Sequence, residues 1–520
     1  MHSFVQRFSD KIKGVITGFD RIVFKGCFRP IVYADGAMAF LRQRGVLNKN
    51  YKPWMMAQSH LLSESADRYA LKTCGQGIEP IASSNERKEA IAHKRQIDLG
   101  IKHGLIGVWS CVEACSTFRA CYDAKAGFPQ LRHLFSRCKH LYFYYDHPLY
   151  GFMSVRLQTW FPYGIQIALN GREWLRRSLE KRKIEFIVHG NKFLHIADYR
   201  QAQKLLSAQL DSRWLILLES FLPQTFPVMA KILSPLLSYS WTLWQSEWAT
   251  DYIFKSPDDL NPLMESLARH AVMSGSGDRI LRYFGRPVDA AGQPHPRANP
   301  EIMTRVSQWH DGFRIRHWFD KNSVKLYNEH NVLRAEMTMN NTSIFRVWRH
   351  TQGKKFEPKK FLPLRKGIAD IAIRAKIANN VNNRFMDHMA AVKDDQPFRL
   401  ILDAVSKPRF QDSRRIRALE LTGKDREFLQ ALSDPKFAVS GLTNKDLRQI
   451  LRLTPWAKGG TDEQLSARIS RTLRLMRDHG LIRKMPNQRR YLLTASGQTL
   501  TTALNAILAA STQQLVNLAA

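Results

Sequence analysis

The sequence predicts a multidomain α+β protein, and three observations carry that expectation. The chain has 520 residues, more than one hydrophobic core organises, so several domains are expected. Apolar, β-rich runs such as residues 15–28 and 313–339 are interspersed with stretches of helical spacing such as 53–71 and 86–99. The C-terminal part carries two helix-start signals separated by a proline–glycine break and followed by a short basic hairpin.

In chain order, residues 1–145 read as a mixed α/β region. Residues 15–28 form an apolar strand with Asp20, Arg21 and Lys25 interspersed, and residues 36–45, 53–71 and 86–99 have helical spacing. Residues 101–111 and 140–145 look like buried strands, the second aromatic through Tyr142, Phe143, Tyr144 and Tyr145. Residues 146–305 begin as mixed α/β and continue as a helical, aromatic-rich region. Two strands flank Pro162, Asn170-Gly171 makes a turn, and a helix over 173–183 carries a run of cations that includes Arg172, Arg176 and Arg177. That run is either a solvated face or a phosphate-facing one. Trp241, Trp244, Trp248 and Tyr252 recur at helical spacing, which places Glu247 and Asp251 on one face of a helix. Those two carboxylates are candidates either to help hold a divalent metal or to pair with arginines. Residues 285–300, rich in proline, glycine and alanine, read as a loop or boundary.

Residues 306–352 read as a central antiparallel sheet, a meander with turns at Asp320-Lys321-Asn322, 328–331 and Asn340-Asn341. Alternation puts Lys325 and Tyr327 on one face of a strand, and Arg334, Glu336 and Thr338 on one face of the next, with His317 one strand further over. Residues 353–417 form a basic linker containing a helix, with Lys354, Lys355, Lys359, Lys360, Arg365 and Lys366 before it and Arg414, Arg415 and Arg417 after it. Residues 418–520 read as a helix-turn-helix module. Thr443-Asn444-Lys445-Asp446 and Thr461-Asp462-Glu463-Gln464 are capping boxes, the first an aspartate variant. The second opens a helix with Leu465, Ile469, Leu473 and Met476 on its apolar side and Arg468, Arg471, Arg474 and Arg477 on the other. Arg483, Lys484, Arg489 and Arg490 lie in the hairpin that follows, around Pro486-Asn487-Gln488. These eight cations are the candidate DNA-binding residues, since such a helix fits the major groove and a basic hairpin reaches phosphates or the minor groove.

Composition narrows the partners. The formal net charge is +34, and lysine and arginine exceed acids along nearly the whole chain, which favours polyanions: double-stranded DNA first, RNA as an alternative. A hydrophobic fraction of 44% excludes wholesale disorder. No run of eighteen apolar residues suits a membrane span, and the N-terminus lacks a signal peptide's apolar core, so a cytoplasmic, nucleoid-associated protein with reduced cysteines is expected. Cys111, Cys115, Cys138 and His140 fall close together, but their spacing departs from the usual zinc knuckle and buried thiols are the expectation there. The apolar segment 504–518 is suited either to pairing with a second copy or to folding back on its own domain.

Two local resemblances add function. The segment Ala467–Leu481 followed by Ile482–Gly497 resembles the MarR-like winged-helix domains of bacterial regulators, which implies a winged helix and DNA binding. Lys325-x-Tyr327 followed by Leu333-Arg334-x-Glu336 is similar to a segment of rolling-circle replication initiators, enzymes that attack a DNA phosphate with a tyrosine beside a metal. That similarity implies Tyr327 as nucleophile, Glu336 and His317 as magnesium or manganese ligands, and Lys325 beside them. It departs from the pattern in lacking a His-apolar-His triplet and in having Asn328 where aspartate is common. The overall order, from Gly18–Arg21 through the Gln245–Asp251 piece and the hairpin to the tail, resembles bacterial proteins grouped with MarR-like regulators. The expectation is a DNA-binding protein, either a regulator or the targeting part of a mobile-element protein. Metal-dependent nicking or strand transfer is the enzymatic alternative.

Overall fold

The computed structural model describes residues 3–509, apart from 84, 235–237, 274, 276, 287–301, 310, 352, 354–355, 391–397, 412–413, 435–436, 438–440 and 486–487. The region read as a loop or boundary at 285–300, the hairpin turn at Pro486-Asn487 and the end of segment 504–518 therefore lie largely outside the described residues. The fold is α+β, and the chain divides into two compact units. A sheet unit comprises Ile12–Lys255 and Glu329–Asn379. A second unit comprises Met1–Lys11, Ser256–Asn328 and Asn380–Ala520.

The sheet unit is built on long strands. In spatial order they are Val332–Met339, Ser240–Phe254, Ile12–Cys27, Ile165–Asn170, Gly151–Gln158, Phe128–His147, Gly104–Asp123 and the short Glu79–Pro80. Neighbours are antiparallel except for the last pair, which is parallel. One sheet thus joins segments that the sequence distributes over three regions. The reason lies in the Ser240–Phe254 strand, which pairs with Ile12–Cys27 on one side and Val332–Met339 on the other. Residues 241–252 therefore form a strand and not the expected helix. Glu247 and Asp251 still share a face, because a separation of four is even in a strand as well.

The helix Gly171–Lys181 packs Leu175 and Leu179 against a core that includes Ile16, Ile253 and Val332. Asn170 caps it, its side-chain oxygen accepting from Arg172 N at 2.9 Å and Glu173 N at 3.1 Å. Gly171 is required by close approach: a Cβ there would sit 2.3 Å from the Phe19 carbonyl oxygen.

In the second unit, Ile302–Trp309, Gly312–Phe319 and the strand Asn322–Glu329 up to Asn328 form an antiparallel run. Val332–Met339, also part of the expected meander, belongs to the sheet unit. The C-terminal core gathers Val405, Leu419, Phe428, Leu447, Leu465, Ile469, Met476, Leu500 and Leu504. It extends N-terminally beyond residue 418 into what read as linker, where Arg414 pairs with Asp478 and Arg417 with Asp425. Within this core, Asn444–Leu451 and Asp462–Asp478 are helices whose Thr443 and Thr461 capping boxes are both formed. Ile482–Lys484 pairs with Tyr491–Leu493, and a helix follows over Ala495–Ala509. Leu500 and Leu504 turn into this core, while Ile507 and Leu508 are exposed.

A candidate metal centre in the sheet unit

Three carboxylates from three adjacent strands converge in the sheet unit. Asp20, Glu247 and Glu336 each offer an oxygen within 4.8 Å of the other two. Among the described residues no other group of histidine, cysteine and acidic side chains gathers as closely. The strand register explains the meeting. Between Val332–Met339 and Ser240–Phe254, Arg334 lies opposite Asp251, Glu336 opposite Ala249 and Thr338 opposite Glu247, so all six share one face. Between Ile12–Cys27 and Ser240–Phe254, Phe19 pairs with Trp248 and Ile22 with Ser246, so Asp20 and Arg21 together face the single residue Glu247. This is a β-bulge, a device that re-aims side chains beside functional sites, and it turns Asp20 toward the other two acids.

The cluster has a defined polar surround. Arg334, 1% exposed, donates from Nη1 to Asp20 at 3.0 Å and from Nη2 to Asp251 at 2.9 Å. Its Nη2 also donates to the Asn191 carbonyl at 2.8 Å, and the Asn191 amide donates to Asp20. Arg172, also 1% exposed, reaches the Ala249 carbonyl at 2.8 Å and Asp251 at 3.1 Å. Asp251 is the structural partner of both guanidinium groups. Burial works against its charge, but the two arginines outweigh that and hold its carboxyl below the usual range. Asp20 moves the other way. Burial raises it most; Arg334 and Arg172 pull it down, while Glu336 and Asp251 push it up. Four carboxylates thus gather around two guanidinium groups, and the Lys192 ammonium also acts on Asp251. Asp20 and Glu247 also line a cleft of about 210 Å³ with Arg21, Ser154, Asn170 and Asn191, which gives the cluster access from solvent.

The residues expected to act together are distributed differently. Glu247 and Glu336, expected as metal ligands, are in the cluster, whereas Asp251 is committed to Arg172 and Arg334. Arg172 is buried and belongs to neither a solvated nor a phosphate-facing surface. Tyr327, Lys325 and His317 belong to the second unit and Glu336 to the sheet unit. His317 pairs with Val324, whereas Arg314 and Arg316 pair with Tyr327 and Lys325, so it sits on the opposite face of its strands from Tyr327 and Lys325. It is fully buried against Tyr283 and Phe385, its Nδ1 is 2.8 Å from the Thr304 hydroxyl, and burial pushes it down to about 4. Tyr327 packs edge-on against Trp309 and is 6% exposed. The sequence reading passed over Asp20, although a lone acid inside an apolar strand is a signal, since a buried charge demands a partner.

Cys111, Cys115 and Cys138 are buried thiols on one face of the paired strands Gly104–Asp123 and Phe128–His147, with His140 opposite Cys111. A hydrogen bond between Cys115 and Cys138 raises the first thiol and lowers the second. Burial pushes His140 down to about 4, and its Nδ1 lies 3.0 Å from the Cys138 carbonyl oxygen. Of the candidate DNA-binding residues, Arg471, Arg474, Arg477, Arg483, Lys484 and Arg489 are exposed and Arg490 is half-buried. Arg468 is occupied internally. Its guanidinium lies 4.2 Å from the centre of the Trp456 ring and donates to the Trp456 carbonyl.

No protein-family model, no curated protein and no solved structure matches this chain. No helix among the described residues is long and apolar enough to cross a membrane.

Proposed function

We propose that this is a DNA-binding protein whose sheet unit carries out metal-dependent phosphodiester chemistry, and whose C-terminal module is a winged helix that targets it to duplex DNA. The observation that carries the enzymatic part is the convergence of Asp20, Glu247 and Glu336 at a bulge, beside two buried arginines and an open cleft. Three carboxylate oxygens suit Mg²⁺ or Mn²⁺, hard cations that keep open positions for water and phosphate. A bound cation would polarise the phosphate and stabilise the leaving oxygen. Asp20, Glu247 and Glu336 would hold it, while Arg334 fixes the Asp20 carboxylate and Asp251 keeps both arginines in place. Tyr327, packed edge-on against Trp309 and 6% exposed, is not needed for this chemistry.

What supports the DNA part is the capped helix pair followed by a basic hairpin, with Arg471, Arg474 and Arg477 exposed on the longer helix. That feature also favours a second reading, a regulator that binds DNA without cutting it.

The discriminating experiment is a nicking assay on supercoiled and single-stranded DNA with Mn²⁺ or Mg²⁺. Asp20→Asn, Glu247→Gln and Glu336→Gln are each expected to lower the rate at least ~100-fold with duplex binding retained, and Tyr327→Phe to leave it unchanged. Intact protein that binds but nicks neither substrate leaves the regulator reading; activity lost in Tyr327→Phe but kept in Glu336→Gln returns the chemistry to the tyrosine.

A further inference from the structure

The pair of strands that carries Asp20 and Glu247 has a second irregularity. Gln245 pairs with Val23 and Leu243 with Phe24, which leaves Trp244 as an extra residue between them. Its indole is 42% exposed, unlike the buried Trp241 and Trp248 of the same strand. Two lysines lie over that ring, Lys25 Nζ at 3.8 Å and Lys366 Nζ at 4.1 Å from its centre. Lys366 is fixed by its own backbone, whose carbonyl accepts from Leu243 N at 2.8 Å. Across the sheet, Lys25 pairs with Gln166, Gln166 with Arg156, and Arg156 with Tyr142, so these residues share one face. Arg156 contacts Glu113 at 2.8 Å. Lys25 shows a different balance: burial, then Arg156 and Lys366, lower its pKa. Cations gathered on an exposed aromatic ring are the elements of a single-strand nucleic-acid site, where rings stack bases and cations follow the backbone.

We infer that this face is a binding track for single-stranded DNA, with Trp244 as the stacking platform for one base and Lys25 and Lys366 as its phosphate contacts. A half-exposed indole on a sheet stacks only on an unpaired base, because duplex bases already cover one another. Trp244 and Glu247 are three residues apart on one strand, about 10 Å at the usual rise. A strand seated on Trp244 therefore delivers a nearby phosphodiester to the carboxylate cluster. The substrate class so assigned rests on the metal-centre reading, and the track itself can be measured without metal.

The test is fluorescence anisotropy of the full chain with labelled oligothymidylate in EDTA, beside a labelled duplex. Trp244→Ala and Lys25→Gln are each expected to weaken single-strand binding about 10-fold, the range found for loss of one stacked base, and to leave duplex binding within about twofold. Trp244→Phe retains most of the affinity, and Asp20→Asn binds the single strand at least as well as the natural chain. Single-strand affinity unchanged in both Trp244→Ala and Lys25→Gln, or an equal loss on the duplex, overturns the track. Loss of nicking in Asp20→Asn with the single-strand pattern intact bears on the metal centre alone. Absence of nicking in the natural chain with that pattern intact refutes the metal centre and leaves the track standing.

Discussion

Glu336 lies 2% exposed with an oxygen no more than 4.8 Å from oxygens of Asp20 and Glu247. At an effective dielectric of about 20, two unit charges at that separation repel by roughly 3.5 kcal/mol, and Glu336 makes two such pairs. Arg334, two residues away on the same strand face, offsets part of this, so Glu336→Gln is expected to stabilise the metal-free protein by about 1–2 kcal/mol. A unit of roughly 300 residues unfolds with an entropy near 0.6 kcal/mol/K, so its midpoint rises by about 2–3 °C. Metal reverses the order. At a free concentration ~100-fold above its dissociation constant, a divalent ion adds about 2.7 kcal/mol to the natural chain, roughly 4 °C, and little to the variant. The assay is differential scanning calorimetry in EDTA and again in MnCl₂, and the curves of the two proteins are expected to cross over between the two conditions. A variant less stable than the natural chain in EDTA, with an equal manganese shift in both, refutes the reasoning. The same chemistry sets a pH sign. Asp20 is raised above its ordinary value, so protons compete with the metal and manganese binding weakens as pH falls through the raised value.

Asp251→Asn leaves Arg172 and Arg334 buried without their shared carboxylate, and is expected to cost about 3–5 kcal/mol at pH 7 in urea titrations. Because Asp251 is depressed, its contribution is present above the ordinary 3.8 and lost as pH falls through the lower folded value, so that deficit narrows in acid. His270 and His317 are pushed from 6.5 down to about 4, chiefly by burial. Each therefore withdraws about 1.4 kcal/mol of stability per pH unit as pH drops from 6.5 toward 4, and His317→Phe is expected to flatten that slope for the second unit. In the C-terminal module, replacing Arg471, Arg474 and Arg477 together by alanine is expected to reduce the salt slope of duplex binding by about 2.7, roughly 0.9 per phosphate contact. Arg468→Ala, removing a cation held on Trp456, is expected to lower stability by about 1 kcal/mol and leave the slope unchanged.

Local chemistry was legible where it is encoded locally. The Thr443 and Thr461 capping boxes are set by residues three apart, so the helix starts could be placed from the sequence. The sheet unit was less legible because its pairings join residues up to 242 positions apart, as in Ile12 with Phe254. Trp241, Trp244, Trp248 and Tyr252 imitated a helix for a definite reason. Burial along this strand falls on odd positions through Leu243 and returns at Ser246, with every residue from Trp248 to Phe254 buried, because the bulge at Trp244 shifts the phase. Of the three clustered acids, Glu247 and Glu336 stood out as candidates by themselves, but nothing in the order of the chain says that Asp20 meets them. Only the register of three strands and a second bulge brings it there. The face assignment of Lys325 and Tyr327 could be read from alternation; the position of His317 on the other face follows from pairing, which alternation within one strand does not supply.

The central claim is that Asp20, Glu247 and Glu336 hold a divalent cation. Its most direct test is Mn²⁺ binding to the full chain at neutral pH, followed by electron paramagnetic resonance of the free ion. A saturable site in the natural chain that disappears in both Asp20→Asn and Glu336→Gln, with Tyr327→Phe binding normally, is the expected result. A natural chain that takes up no manganese, or variants that bind it as tightly as the natural chain, contradicts the account.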